Sequence, residues 1–138
     1  MVSAITKIKP GRAIEKIAAS LERDGAVKPP IWALTVKSGV SRERVPSTTG
    51  FWFKRAAAVL RTFYFSEGSP LGVQRLRNKY GGRKRHLVRA AHHRKGGGGV
   101  LRRVVQQLEE AGFVEKQSKT SGRVITAKGK KFVNAALK

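Results

Sequence analysis

The chain has 138 residues, no cysteine, and 30 Lys and Arg against 8 Asp and Glu, a formal charge of +22. The length suits one ordinary domain, the missing thiols exclude disulfide scaffolds and cysteine zinc sites, and 40% hydrophobic residues exclude disorder from end to end. No apolar run nears the roughly 20 residues that cross a bilayer, and the N-terminal residues lack a secretory apolar stretch, so a cytosolic or nuclear protein is expected.

Pro10 can sit in the first turn of a helix whose apolar positions Ile14, Ile17, Ala18 and Leu21 repeat at helical spacing, with Gly25 as its stop. Pro29 and Pro30 open a short segment over 31–36, one or two helical turns, and 37–50 reads as a loop. Thr48 or Thr49 can cap the next helix, whose apolar face holds Phe51, Trp52, Ala56, Leu60, Phe63 and Tyr64. So much aromatic surface on one helix predicts the central packing element. Gly68 and Pro70 precede a shorter helix over 71–80 with Val73 and Leu76 inward, and a glycine- and arginine-rich loop follows at about 80–99. A helix over 99–111 then buries Val100, Leu101, Val104, Val105 and Leu108, and Gly112 ends it. Phe113-Val114 and Val124-Ile125 flank a polar turn over 119–122, the pattern of a β-hairpin. Thr126 can cap a last helix carrying Phe132, Val133, Ala136 and Leu137. Helix, loop, helix, hairpin, helix is the order of a winged helix. The expected fold is mainly α, one winged-helix-like domain over 1–138 with one small β-hairpin as its wing.

Charge is not spread evenly along this order. The 41 residues between Glu67 and Glu109 contain eleven Lys or Arg, all three histidines and no acid. Such a tract repels itself, and its glycines lose much entropy on ordering, so a polyanion is its natural partner. Arg83, Lys84 and Arg85 follow Tyr80 and two glycines, which suits RNA, where unpaired bases offer stacking faces. The same cluster fits a nuclear localisation signal, and Tyr80 fits a core position as well as a stacking one. Arg89, His92, Arg94 and Lys95 extend the basic tract. Arg102 and Arg103 are expected in the first turn of their helix and Glu109 and Glu110 in its last, both against the macrodipole. An anion at that N-terminus would relieve the conflict, with glycines 96–99 leaving room for a phosphate. Lys54 and Arg61, with Arg55 beside them, form a ridge that fits either a backbone contact or a solvated helix face.

Catalytic chemistry finds no support. Glu109 and Glu110 diverge on a helix, no nucleophile triad is spaced for action, and the glycine tract lacks a nucleotide fingerprint. His86, His92 and His93 sit among cations with no carboxylate nearby, so no metal and no cofactor is expected. A non-enzymatic binder without a small-molecule substrate or membrane partner is the expectation. A winged-helix DNA-binding regulator or chromatin protein is the alternative, although the charge excess extends over every segment rather than one face.

Taken in order, several segments resemble the small-subunit ribosomal protein nineteen family of archaea and eukaryotes. They are WALTVKSG over 32–39, FKRAAAVLR over 53–61, KYGGRKR over 79–85, His92, RRVVQQLEEAGFVEK over 102–116 and SGRVITAKGKK over 121–131. The resemblance implies a winged-helix-like fold and a structural rRNA-binding role in the head of the small subunit. It also implies contact with neighbouring small-subunit proteins and a part in maturing the rRNA precursor. Residence would be the cytoplasmic ribosome, with nucleolar assembly in a eukaryotic source. By motif it carries over Arg55, Arg61, Arg83, Arg85, Arg102 and the wing glycine Gly122, beside Arg123. The chain departs from the family with Phe51-Trp52 in place of Trp-Phe, tolerable if only bulk is needed. It departs again with glycines 96–99 in place of a serine-containing segment, which suggests a loop ordered mainly by RNA.

Overall fold

A computed structural model of the chain describes residues 3–119 and 121–138. A four-residue helix, α1 (Ala4–Lys7), was too short to leave a periodic signal, yet it seats Ile5 in the core. α2 (Pro10–Asp24) begins with proline at its first position, and Gly25 closes it through bonds from its N–H to Leu21 and Glu22. Its buried face is Ala13, Ile17, Ala18 and Leu21, with Ile14 half-buried at the edge. The turns expected over 31–36 contract to a 3-10 turn, Ile31–Leu34, because Thr35 closes both its N–H and its hydroxyl on the Trp32 carbonyl at 3.1 Å.

α3 (Phe51–Phe65) is the central element, burying Trp52, Ala56, Ala57, Val59, Leu60, Thr62 and Phe63. No threonine caps it, against expectation: Gly50 is the N-cap at φ 72°, and its carbonyl takes the Lys54 N–H at 3.1 Å. α3 packs on α2 along one side, and on α5 (Gly98–Glu110) and α6 (Ala127–Ala136) along others. On α5, Val100, Leu101, Val104, Val105 and Leu108 are all buried as their spacing predicts. So is Gln107, which was not expected inside.

α4 (Val73–Lys79) is shorter than its sequence pattern, because Leu71 is used otherwise. Leu71 exchanges two backbone hydrogen bonds with Arg123, at 2.9 and 3.0 Å, and joins the edge of the wing. That wing pairs β3 (Val114–Lys116) with β4 (Arg123–Ile125), Val114 opposite Ile125. Its expected polar turn includes Thr120, which lies outside the described residues. A Cβ on Gly122 would come within 2.6 Å of the Pro70 Cβ, so a bare backbone there lets the wing close on the 70–71 segment. Thr126 caps α6 as expected, accepting the Gly129 N–H at 3.1 Å and donating to Gly112 O at 2.7 Å. Phe113 stacks on Phe132 at 4.6 Å and ties the wing to α6.

The chain therefore has the mainly α fold with a small β wing, and it adds a second hairpin. β1 (Gly82–Lys84) pairs antiparallel with β2 (His92–Arg94) inside the tract expected to be loop. Among the described residues no helix is long and apolar enough to cross a membrane.

Candidate nucleic-acid interface

The second hairpin carries most of the acid-free tract. Its register sets Arg83 opposite His93, Lys84 opposite His92 and Gly82 opposite Arg94. An isolated two-stranded ribbon is marginal on its own. The base is fixed by close backbone crossings instead. Gly96 donates to Arg77 O at 2.8 Å, Gly97 donates to Ser38 O at 2.7 Å, and the Arg77 Nε–H reaches Gly96 O at 2.9 Å. A Cβ on Gly81 would fall on the Arg94 carbonyl, and one on Gly96 would stand 3.0 Å from the Tyr80 carbonyl. Glycines 96 and 97 are thus bare where other segments of the protein pass close by, and of that run only Gly99 meets open space. The loosely held loop suggested by the glycine run is pinned at both ends.

Among the described residues no carboxylate lies within ion-pairing reach of Arg83, Lys84, Arg85, Arg89, Arg94 or Lys95. All of these but the half-buried Lys84 are exposed, as is His92. The three ion pairs lie elsewhere: Lys130 with Glu67, Arg123 with Glu109 at 2.7 Å, and Arg103 with Glu110 at 3.7 Å.

These pairs revise the reading of α5. The helix starts at Gly98, so Arg102 and Arg103 are its fifth and sixth residues, in the second turn rather than the first. The acids at its C-terminal end are offset by Arg123 and Arg103, so the macrodipole conflict is relieved inside the protein. Arg102 is exposed and outside these pairs. Arg102→Ala is therefore expected to lower the slope of log affinity against log salt by about 0.7–0.9 on RNA, and Arg103→Ala by clearly less. Equal effects, read by filter binding, would show that the Glu110 contact does not hold Arg103 back.

A second cationic group surrounds Tyr80 beside the hairpin base. The Arg55 guanidinium lies 4.5 Å from the Tyr80 ring centre and 5.2 Å from that of Phe51. The Tyr80 hydroxyl is 2.9 Å from Thr62 Oγ1, which also accepts from Lys79 Nζ at 3.1 Å. One face of Tyr80 is thereby occupied by Arg55, and its hydroxyl by Thr62. Arg61 stacks on Phe65 at 4.6 Å, and its Nε–H is buried with no hydrogen-bond partner among the described residues. Of the two readings of the ridge, a phosphate contact or a solvated helix face, neither is decided by burial: Lys54, Arg55 and Arg61 are all half-buried.

Burial lowers the Arg55 pKa, the nearby Tyr80 opposes that, and Arg42 adds to it. Burial, then the Arg61 charge, lower that of Lys79. Burial raises the Tyr80 phenol, against its Thr62 hydrogen bond and the two arginines. Four cations converge, and none of them has an ion-pair partner among the described residues, an arrangement that an anion stabilises. Arg55→Lys keeps the charge but loses the planar stack, and is expected to cost about 1 kcal/mol of stability. Urea unfolding followed by circular dichroism checks this, and a stability equal to the parent chain would show the stack to be idle.

The sequence reading passed over Arg42 and Lys79 in this group, and Lys79 was legible only as the residue before Tyr80. It also passed over the exposed apolar side chains of Ile31, Leu34, Leu87 and Val88. The signal was present for the last two, which interrupt an otherwise basic run. Gly122 and Arg123, expected on the RNA side, have protein partners in Pro70 and Glu109.

Against known proteins, the family model described as ribosomal protein S19e matches residues 4–138. A small ribosomal subunit protein eS19 of Aeropyrum pernix is 38% identical over 97% of this chain and 86% of its own length. The protein of the same name from Haloarcula marismortui is 35% identical over 96% of this chain and 88% of its own. Small ribosomal subunit protein eS19G of Ascaris suum is 36% identical over 86% and 78%.

Proposed function

The chain belongs to the ribosomal protein S19e family, and on that footing we propose that it is a structural, non-catalytic component of the small ribosomal subunit that binds the subunit's rRNA. Its place is then the cytoplasmic ribosome, in the head of the small subunit. It assists maturation of the rRNA precursor and packs beside other proteins of that subunit, with a nucleolar step where the source is a eukaryote. The observation that supports this reading is a cationic surface without countercharge. Its members are the group around Tyr80, the cations of the β1–β2 hairpin, and Arg102, none of which has an ion-pair partner among the described residues.

The physical sequence is short. Phosphates neutralise Arg83, Arg85, Arg89 and Arg94 on the hairpin and release counterions. The mutual repulsion of the crowded hairpin cations then falls, and the ribbon is held against the RNA. Arg55 and Arg61, already flattened on aromatic rings, present guanidinium groups with little rotamer entropy left to lose. The wing plays a smaller part, because Arg123 and Gly122 are engaged within the protein.

Titration of the purified chain with a small-subunit rRNA transcript and with duplex DNA of equal length tests the proposal. Tighter binding to the rRNA, with affinity falling steeply as salt rises, is expected. Equal affinity for both polyanions at every salt concentration would overturn it in favour of an unspecific basic binder.

A further inference from the structure

Leu87 and Val88 have relative exposures of 106% and 97%, so neither gains anything from the folded protein. They sit at the bend between β1 and β2, on the end of a stalk whose side chains are Arg83, Lys84, Arg85 and Arg89. Isolated surface leucines need no explanation. An adjacent leucine and valine, both fully exposed at the bend of a cationic hairpin, are a different case. Lysine or serine there would serve solubility and phosphate contact alike.

The hairpin base is held by Gly81, Gly96, Ser38 and Arg77, so the tip is aimed rather than free to fold back. The surrounding cations bring it to a ribose-phosphate chain. At that distance the only apolar surface a polynucleotide offers is the face of a base, and reaching it requires an unpaired base or an opened step. A protein pocket for the tip would need a dense acidic rim to accept the stalk, whereas RNA supplies that charge everywhere.

We propose that the β1–β2 tip is an apolar wedge that enters small-subunit rRNA at an unpaired or kinked base step, Leu87 and Val88 lying against base faces. The flanking cations clamp the phosphates on either side. The wedge rests on the rRNA-binding reading above and adds a site that phosphate contact alone does not require.

The test compares the parent chain with L87S/V88S on two probes, a small-subunit rRNA transcript and a fully paired 16-base-pair RNA duplex. Serine at a solvated bend removes no core contact, so the melting curve of the free protein stays unchanged. Expected is a loss of about tenfold in affinity for the transcript, the size of burying one aliphatic side chain, with the salt slope and duplex affinity unaltered. Probing by 2′-hydroxyl acylation is expected to show a few nucleotides that become reactive with the parent chain and not with the variant. L87M/V88I restores both effects. Equal transcript affinity and equal reactivity for parent and L87S/V88S would overturn the wedge alone. A parent chain that binds transcript and duplex equally would instead overturn the rRNA-binding reading and the wedge with it.

Discussion

Replacing Gln107 by leucine is expected to lower the stability of the free protein by about 3 kcal/mol and its melting temperature by about 8–12 °C. The Gln107 carbonyl accepts the Trp52 Nε1–H at 2.8 Å, and its amide donates to Lys28 O at 2.7 Å. One side chain thus joins α5 to α3 and to the segment after α2. Leucine satisfies neither partner. The Trp52 indole N–H, deep between helices, is left without an acceptor, which costs about 1–3 kcal/mol. The Lys28 carbonyl is nearer the surface and recovers part of its loss from water.

A double-mutant cycle separates this bond from packing. Trp52→Phe alone leaves the Gln107 carbonyl unmet, while Trp52→Phe with Gln107→Leu removes both ends of the bond. The double variant is expected to lose less than the sum of the singles, by about 1–2 kcal/mol. Exact additivity in urea unfolding would mean that the two side chains do not meet. At 25 °C, with the protein still folded, rRNA affinity should hardly change, since neither residue reaches the surface. Tryptophan at 52 therefore supplies more than bulk. The indole at 52 has a donor, and the position receives it.

Gln107 also shows why part of the fold was legible in the sequence and part was not. Val100, Leu101, Val104, Val105 and Leu108 declare a buried face by their spacing, and all are buried. A glutamine beside them reads as solvent-facing until its partner 55 residues earlier is seen. Caps divide in the same way. Thr126 acts on Gly129 within its own turn and can be read locally, whereas the start of α3 is decided by a left-handed Gly50 that overrides two threonines. The β1–β2 hairpin is hidden for a different reason. Gly-Arg-Lys and His-His-Arg show no alternation of apolar and polar residues, because neither face of the ribbon is buried on a core. What holds it is contact among glycines 39, 81 and 96, and backbone crossings leave no mark in hydropathy. The basic character of the interface was plain from composition. Its division into hairpin cations without countercharge and wing cations already paired was not, since that depends on where Glu67, Glu109 and Glu110 fall in space.

That division leads to the largest expected effect on binding. R83A/K84A/R85A is expected to weaken binding to small-subunit rRNA by about a hundredfold at 0.1 M salt, and to lower the salt slope by about 2–3. The three cations share the β1 strand and its exit, and no acid among the described residues competes for them. Free-protein stability should move the other way or not at all. Arg83 faces His93 and Lys84 faces His92 rather than acids, so alanine at both breaks no ion pair across the ribbon. The comparison with Gln107→Leu is then diagnostic, since one variant loses stability and keeps affinity while the other keeps stability and loses affinity. R83A/K84A/R85A made in an R123A background provides the internal control. Arg123 is bonded to Glu109 at 2.7 Å, so adding its loss should leave the salt slope where the triple variant put it. A triple variant whose salt slope matches the parent chain would remove the hairpin from the interface and return the weight of binding to Arg55, Arg61 and Arg102.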